Sequence, residues 1–199
     1  AHYWPLVKLD WDSKRKISKR KDLEADVEYY FKSWYLPSAI IDFLANLLNS
    51  WYEDWRIANL DKNYLDYDFK LDKVWSSWAL VDMQKLNWFN QLHIKNMSLE
   101  DLYDKLNVYL KDFNNEFYEN NFSKASKDYN LKIISELKTR LVKFDEFESL
   151  TWFFYKENKI NNDVLNLLVN PKMKIDDLQT AKSWLELTLK TLKDFKNDF

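Results

Sequence analysis

The 199-residue chain contains no glycine. Ordinary usage of about 7% would supply roughly 14. Glycine enters left-handed backbone without steric cost and lets main chain approach a ligand closely. Its absence therefore excludes a Walker loop, a dinucleotide fingerprint, a nucleophile elbow and an EF-hand loop, all built on such backbone. There is also no cysteine, so there is no disulfide, thiolate nucleophile or thiolate metal site. His2 and His93 are the only histidines, too few for a multi-histidine metal centre, and no metal ligand is assigned.

Lys and Arg number 30 against 32 Asp and Glu, a net charge of −2. No global basic field marks a nucleic-acid binder, so any RNA contact must be a local patch. At 46% hydrophobic and 31% charged, the chain can bury a core, and its length allows one domain or two small ones. No apolar run approaches the ~18 residues of a membrane span, and no signal peptide is visible. A cytoplasmic monomer with no membrane partner is expected; the lack of cysteine is compatible with that compartment.

Hydrophobic spacing reads as an all-α chain with at most a remnant strand. Tyr3 to Leu9 is the strand candidate, and Asp10 to Lys21 reads as a polar loop. Leu23 to Lys32 is predicted helical, and Pro37 opens a second helix because its fixed φ suits a first turn. Asn49 to Leu80 lacks a strong period. Asp82 to Leu92 is predicted as a helix in which Trp88 looks buried. Ser98 caps the next, with Asp101 three residues on. Residues 129–143, Glu146 to Lys156, a turn at Asp163 to Val169, and Ile175 to Phe195 with Asp176 as N-cap complete the pattern. The Asn-rich stretch 158–166 reads as a loop. The aromatics Trp152, Phe153, Phe154 and Tyr155 read as core rather than as base-stacking residues.

Residues 13–21 read Ser-Lys-Arg-Lys-Ile-Ser-Lys-Arg-Lys, six of nine basic and none acidic. Charge so concentrated suits a polyanion such as triphosphate or RNA, although a solvated surface run has the same composition. The order of residues shifts the weight toward the first, although for Lys14, Arg15 and Lys21 the solvated-surface reading stays open. Lys16-Ile17-Ser18-Lys19-Arg20 resembles the KMSKS signature of class I aminoacyl-tRNA synthetases, in the form found in bacterial glutamyl-tRNA synthetases. Lys21-Asp22, Tyr35-Leu36-Pro37-Ser38-Ala39, Asn49-Ser50 with Glu53-Asp54-Trp55-Arg56, Ser77-Trp78-Ala79 and Lys85-Leu86-Asn87-Trp88 resemble further blocks of that family, in family order over residues 1–97. Beyond residue 97 the resemblance is diffuse.

The resemblance implies a C-terminal portion of a glutamate–tRNA ligase, running from the signature loop onward. Residues 1–24 would be the end of the catalytic domain, with its strand and loop. Residues 25–95 would be a helical stem-contact region, and 96–199 a helical anticodon-binding bundle, expected to be incomplete in the family's terms. The family uses ATP, with Mg as counter-ion, to activate glutamate and transfer it to tRNA-Glu, with tRNA-Gln as an open second substrate. Lys16 and Lys19 would contact the ATP phosphates as catalytic residues, Ile17 and Ser18 would shape and dock the loop, and Arg20 would add a phosphate contact. Arg140 is a candidate tRNA contact, with a structural helix residue as the other reading. The family's HIGH motif has no counterpart in a glycine-free chain, so the chain alone is expected to be inactive. The alternative is a non-catalytic helical RNA-binding protein derived from a synthetase; a plain helical interaction module would bind neither ATP nor tRNA.

The same resemblance gives the missing glycine a reading. Trp34 precedes Tyr35-Leu36-Pro37, and Trp78 stands between Ser77 and Ala79, where the family has Gly in both cases. Trp11, Trp51 and Trp75 lie in turn-like places with weaker support, whereas Trp55 and Trp88 match tryptophans of the family. Some bacteria read UGA as Gly and others as Trp. The pattern predicts that several of these tryptophans stand where the encoded protein has glycine, and that Trp34 occupies a left-handed helix cap.

Overall fold

A computed structural model describes residues 5–11, 13–49, 51–74, 79–156, 169 and 174–196, with side chains in the last stretch as far as Thr191. Two compact units result, 1–156 and 157–199.

The first unit begins with an antiparallel hairpin. Strand β1 (Val7–Asp10) pairs with β2 (Ser13–Lys16) in the register Val7↔Lys16 to Asp10↔Ser13. The basic run thus starts in a strand and not, as the polar composition suggested, in a loop. Pairing of Asp10 with Ser13 leaves a two-residue connection, and its first residue, Trp11, has φ 56°. Two-residue hairpin turns require positive φ at the first central residue, which is why Gly and Asn dominate there. The Trp11 side chain is 96% exposed, so nothing offsets the strain. Trp11→Gly is expected to stabilise the chain by about 1 kcal/mol and raise its melting temperature by roughly 2–4 °C. Calorimetry of both proteins measures this; an unchanged or lower melting temperature would contradict it.

A 3-10 turn (Leu23–Ala25) leads into α1 (Val27–Lys32), capped by Asp26 accepting from the Glu28 amide. Helix α1 ends at Ser33 and Trp34. Trp34 N donates to Phe31 O at 3.1 Å and Tyr35 N to Tyr30 O at 3.0 Å, the paired bonds of a Schellman stop. Trp34 has φ 50°, as the left-handed cap requires. Its indole is only half-buried but packs against Phe31, Tyr109, Phe113 and Phe144. Trp34 therefore gains packing that Trp11 lacks. Trp51 is the first residue of a helix and has no positive φ. Trp75 and Trp78 lie outside the described residues, as does the turn at 163–168. Asparagine covers no left-handed position among the described residues; the third is Lys174, at φ 59°.

Helix α2 (Pro37–Leu48) opens on Pro37 as predicted. Helix α3 (Trp51–Ala58) fills part of the stretch that lacked a period. Helix α4 (Met83–Asn96) is capped by Asp82, and its Trp88 is 39% exposed, not buried. Helices α2, α3 and α4 meet at a buried polar centre. The Asp42 carboxylate accepts from the Tyr52 hydroxyl, lies 2.5 Å from His93 Nε2, and pairs with Arg56 Nη2 at 3.2 Å. Arg56 also donates to the Asn59 and Lys62 carbonyls, tying down the loop that follows α3.

Ser98 caps α5 (Leu99–Phe113), accepting from the Asp101 amide at 3.0 Å. The next elements, α6 (Asn115–Phe117) and a π-turn at Tyr118–Phe122, are too short to be signalled by apolar spacing. Helix α7 (Lys127–Leu137) stops six residues before the expected end at 143. Helix α8 (Phe147–Tyr155) closes the unit. One apolar core runs from Tyr35 to Phe147, continuous across residue 96, because Leu86, Phe89 and Ile94 of α4 and Leu102, Leu106 and Leu110 of α5 are all buried.

In the second unit α9 (Leu178–Lys196) is capped by Asp177, whose carboxylate accepts from the Thr180 amide at 2.7 Å. The cap is therefore Asp177 and not Asp176. On this helix Ala181 is buried, while Leu185 and Leu189 are exposed.

Candidate functional site: a basic loop built around a buried carboxylate

The Lys16–Arg20 segment leaves the end of β2 and turns back toward the 3-10 helix. Ile17 N donates to Leu6 O at 3.0 Å, and the Lys21 and Asp22 amides both donate to Ser18 O, at 3.0 and 2.9 Å. Arg20 N approaches Ser18 Oγ at 3.4 Å. Ser18 is thus bonded within the turn through both its carbonyl and its hydroxyl.

The centre of the loop is Asp22, whose side chain is 1% exposed. Arg15 grips it through two parallel bonds, Nη1 to Oδ2 and Nη2 to Oδ1, each 2.6 Å. Arg15 Nε reaches Asp10 Oδ2 at 2.7 Å. Ser18 N donates to Asp22 Oδ2 at 2.8 Å, and Lys8 Nζ lies 3.2 Å from Oδ1 while also bonding Glu24. A carboxylate that accepts a guanidinium fork and a backbone amide is strongly favoured in its charged form. Arg15 first, and then the Ser18 amide, hold the Asp22 carboxyl well below the usual carboxylate range, against the opposing effect of burial.

The sign of the pH dependence follows from that depression. A carboxyl whose folded pKa is lowered contributes stability above its unfolded value, about 3.9, and loses it only as pH falls through the lower folded value. Protection of the Ser18 amide is therefore expected to persist from neutral pH to about 4. Amide exchange followed across that range tests it, and a loss of protection centred near pH 4 would contradict it.

Arg15 is thus committed to structure. Lys14, Lys16, Lys19, Arg20 and Lys21 are exposed and have no acidic partner among the described residues. Lys16 and Lys19 also border a cavity of about 440 Å³ whose wall includes Leu6, Ile17, Tyr30, Phe43, Leu47 and Val81. Ile17 is half-buried against that apolar wall. Free ammonium groups beside an apolar recess can bind an anion carrying a flat or apolar group.

Arg140 lies in the turn after α7, exposed, and shares no hydrogen bond or ion pair with residues 16–20. Trp152, Phe153 and Phe154 are 45, 44 and 39% exposed, so the expectation that they pack in the core fails for them. It holds for Tyr155, which is half-buried and donates to Asn130 Oδ1 at 2.8 Å. No group of three or more acidic or histidine side chains that could hold a metal ion occurs among the described residues. No described helix is long and apolar enough to cross a membrane. The part played by Asp22 was missed in the sequence; the available signal was an acid set directly after an uninterrupted basic run.

No family model matches the chain. It is 34% identical over 193 residues to the glutamate–tRNA ligase of Clostridium perfringens strain 13, covering 94% of this chain and 34% of that protein. The glutamate–tRNA ligase of Acetivibrio thermocellus is 37% identical over 135 residues, covering 68% and 24%. That of Sorangium cellulosum is 40% identical over 117 residues, covering 52% and 20%. A crystal structure of a glutamate tRNA ligase from Elizabethkingia meningosepticum in complex with its amino acid has the same fold, with TM-score 0.63 at 23% identity, covering 87% of this chain and 36% of that one. The chain spans about a third of the length of the curated relatives it matches.

Proposed function

The chain belongs to the glutamate–tRNA ligase family, and from that premise we propose that it supplies the ATP-phosphate loop and a helical tRNA-binding region of such an enzyme. The reaction activates glutamate with ATP, releasing pyrophosphate, and then transfers glutamate to the terminal ribose of tRNA. Negative charge gathers on the departing phosphates. Fixed cations aimed at that charge stabilise the transition state more than the ground state. Lys19 and Lys16 are the phosphate contacts, with Arg20 beside them, Mg accompanying ATP as counter-ion, and Ile17 seating the loop on apolar surface. Residues 25–95 face the tRNA stem and 96–199 the anticodon side, with tRNA-Glu as substrate and Arg140 as one candidate contact.

The observation that carries this reading is the display of Lys16, Lys19 and Arg20, free of acidic partners among the described residues, on a loop whose backbone is pinned at Ile17 and Ser18. Lys19→Ala is expected to weaken binding of inorganic tripolyphosphate about tenfold, roughly 1.4 kcal/mol. Isothermal titration measures it, and equal affinity for both proteins would sink the reading. The HIGH segment that the family uses for activation is absent from this sequence, so the chain alone is expected to form no glutamyl-tRNA. Its affinity for tRNA should still fall steeply with salt, as phosphate contacts release counter-ions.

A further inference from the structure

The basic run poses an electrostatic problem. Lys16, Lys19, Arg20 and Lys21 stand on or beside one tight turn, and like charges held on so short a segment repel one another. Left to itself the run would extend. The fold meets the problem from inside, because the buried Asp22 carboxylate sits within the turn and faces Arg15, Lys8 and the Ser18 amide. Both carboxylate oxygens are used twice. Oδ1 takes Arg15 Nη2 and Lys8, and Oδ2 takes Arg15 Nη1 and Ser18 N. Arg15 also approaches the Lys16 carbonyl, at 3.4 Å. One side chain thereby connects β1, β2, the turn and the start of the 3-10 helix.

We infer that Asp22, held by the Arg15 fork, is the positioning residue of the loop: it sets the backbone from which Lys16 and Lys19 project, and it touches no ligand itself. The functional half of this statement rests on reading those lysines as phosphate contacts; the conformational half does not. A planar guanidinium is required, since a lysine at position 15 would keep the charge but lose the two parallel bonds.

Such a role predicts an effect opposite in sign to simple charge counting. Asp22→Asn removes a negative charge from the neighbourhood of five exposed cations. If Asp22 acted only through its field, an anion would bind more tightly to the variant. If Asp22 positions the loop, the anion binds more weakly, because the lysines lose their common geometry.

The test uses the whole chain as wild type, Asp22→Asn, Arg15→Lys and Lys19→Ala, with two readouts. The first is amide exchange. In both Asp22→Asn and Arg15→Lys, the backbone amides at positions 18, 21 and 22 should exchange about tenfold faster than in the wild type, equivalent to roughly 1.4 kcal/mol. Amides of α5 should be unchanged, which shows that the fold survives. Unchanged exchange at Ser18 in both variants overturns the inference. The second readout is inorganic tripolyphosphate affinity, expected to fall several-fold in both variants. Equal or tighter binding by Asp22→Asn also overturns it. Should the wild type and Lys19→Ala bind tripolyphosphate alike, the phosphate reading fails instead, and amide exchange alone decides the role of Asp22.

Discussion

Asp42→Ala is expected to cost about 3–5 kcal/mol, because it leaves a buried guanidinium without its counter-charge. Asp42 and Arg56 are almost wholly excluded from water, at 0 and 1% exposure. The carboxylate also receives the Tyr52 hydroxyl and lies against His93, so three partners from two helices lose their acceptor together. Burial, and then the bond to Asp42, push the Tyr52 hydroxyl far above its ordinary pKa. Beside the intact carboxylate this tyrosine therefore stays a neutral donor. Urea denaturation followed by circular dichroism measures the loss. The sign of the pair is tested by replacing both members. Asp42→Leu with Arg56→Met should be less damaging than Asp42→Ala alone, since no unpaired charge remains buried. A single variant within about 1 kcal/mol of wild type would show the centre to be hydrated and dispensable.

Phe122→Ala is expected to cost about 3–5 kcal/mol for a different reason, the cavity left by a large ring in a close-packed interior. Phe122 is 1% exposed. Its ring stacks on Tyr103 of α5 at 5.5 Å between centroids and meets Phe147 of α8 edge-on at 5.9 Å. Its carbonyl accepts from Asn130 Nδ2 of α7 at 2.9 Å, and Asn130 in turn accepts from Tyr155. The π-turn that carries Phe122 is thus the point where three helices converge. Phe122→Leu, which keeps much of the volume, should recover more than half of the loss. If alanine and leucine were equally tolerated, the turn would be a surface feature and not part of the core.

What could be read from the sequence tracks the range of the interactions involved. Helices α2 and α5 were legible because Pro37 and Ser98 announce their starts and the apolar spacing repeats over three turns or more. Helix α3 was not, since Trp51–Ala58 is short and its buried face includes Arg56, a residue that looks like surface until its partner Asp42 is placed beside it. The same blindness to partners hid Asp22. The basic run was legible as charge, and the order Lys16 to Arg20 as a family signature, but charge alone could not tell Arg15, turned inward onto a carboxylate, from Lys19, turned outward. Residues 138–143 show the opposite error. Helical spacing continues through Leu141 and Val142, yet the helix ends at Leu137, because Leu141 is buried from a turn and the Val142 carbonyl is taken by Asn90 of α4 at 2.5 Å. Exposure was misjudged for Trp88 and Trp152 for a simpler reason. A large aromatic carries enough apolar surface to look internal wherever it stands.

The hairpin tip carries a consequence that reaches outside the protein. If codon 11 is UGA, the residue at the tip is chosen by the decoding tRNA of the host that makes the chain. A host that reads it as glycine makes a relaxed hairpin. A host that reads it as tryptophan makes one held in left-handed backbone beside an indole in open solvent. Two products of one gene would then differ at every UGA codon at once, the strained tip among them, and the mass of a single purified protein would report which genetic code had translated it.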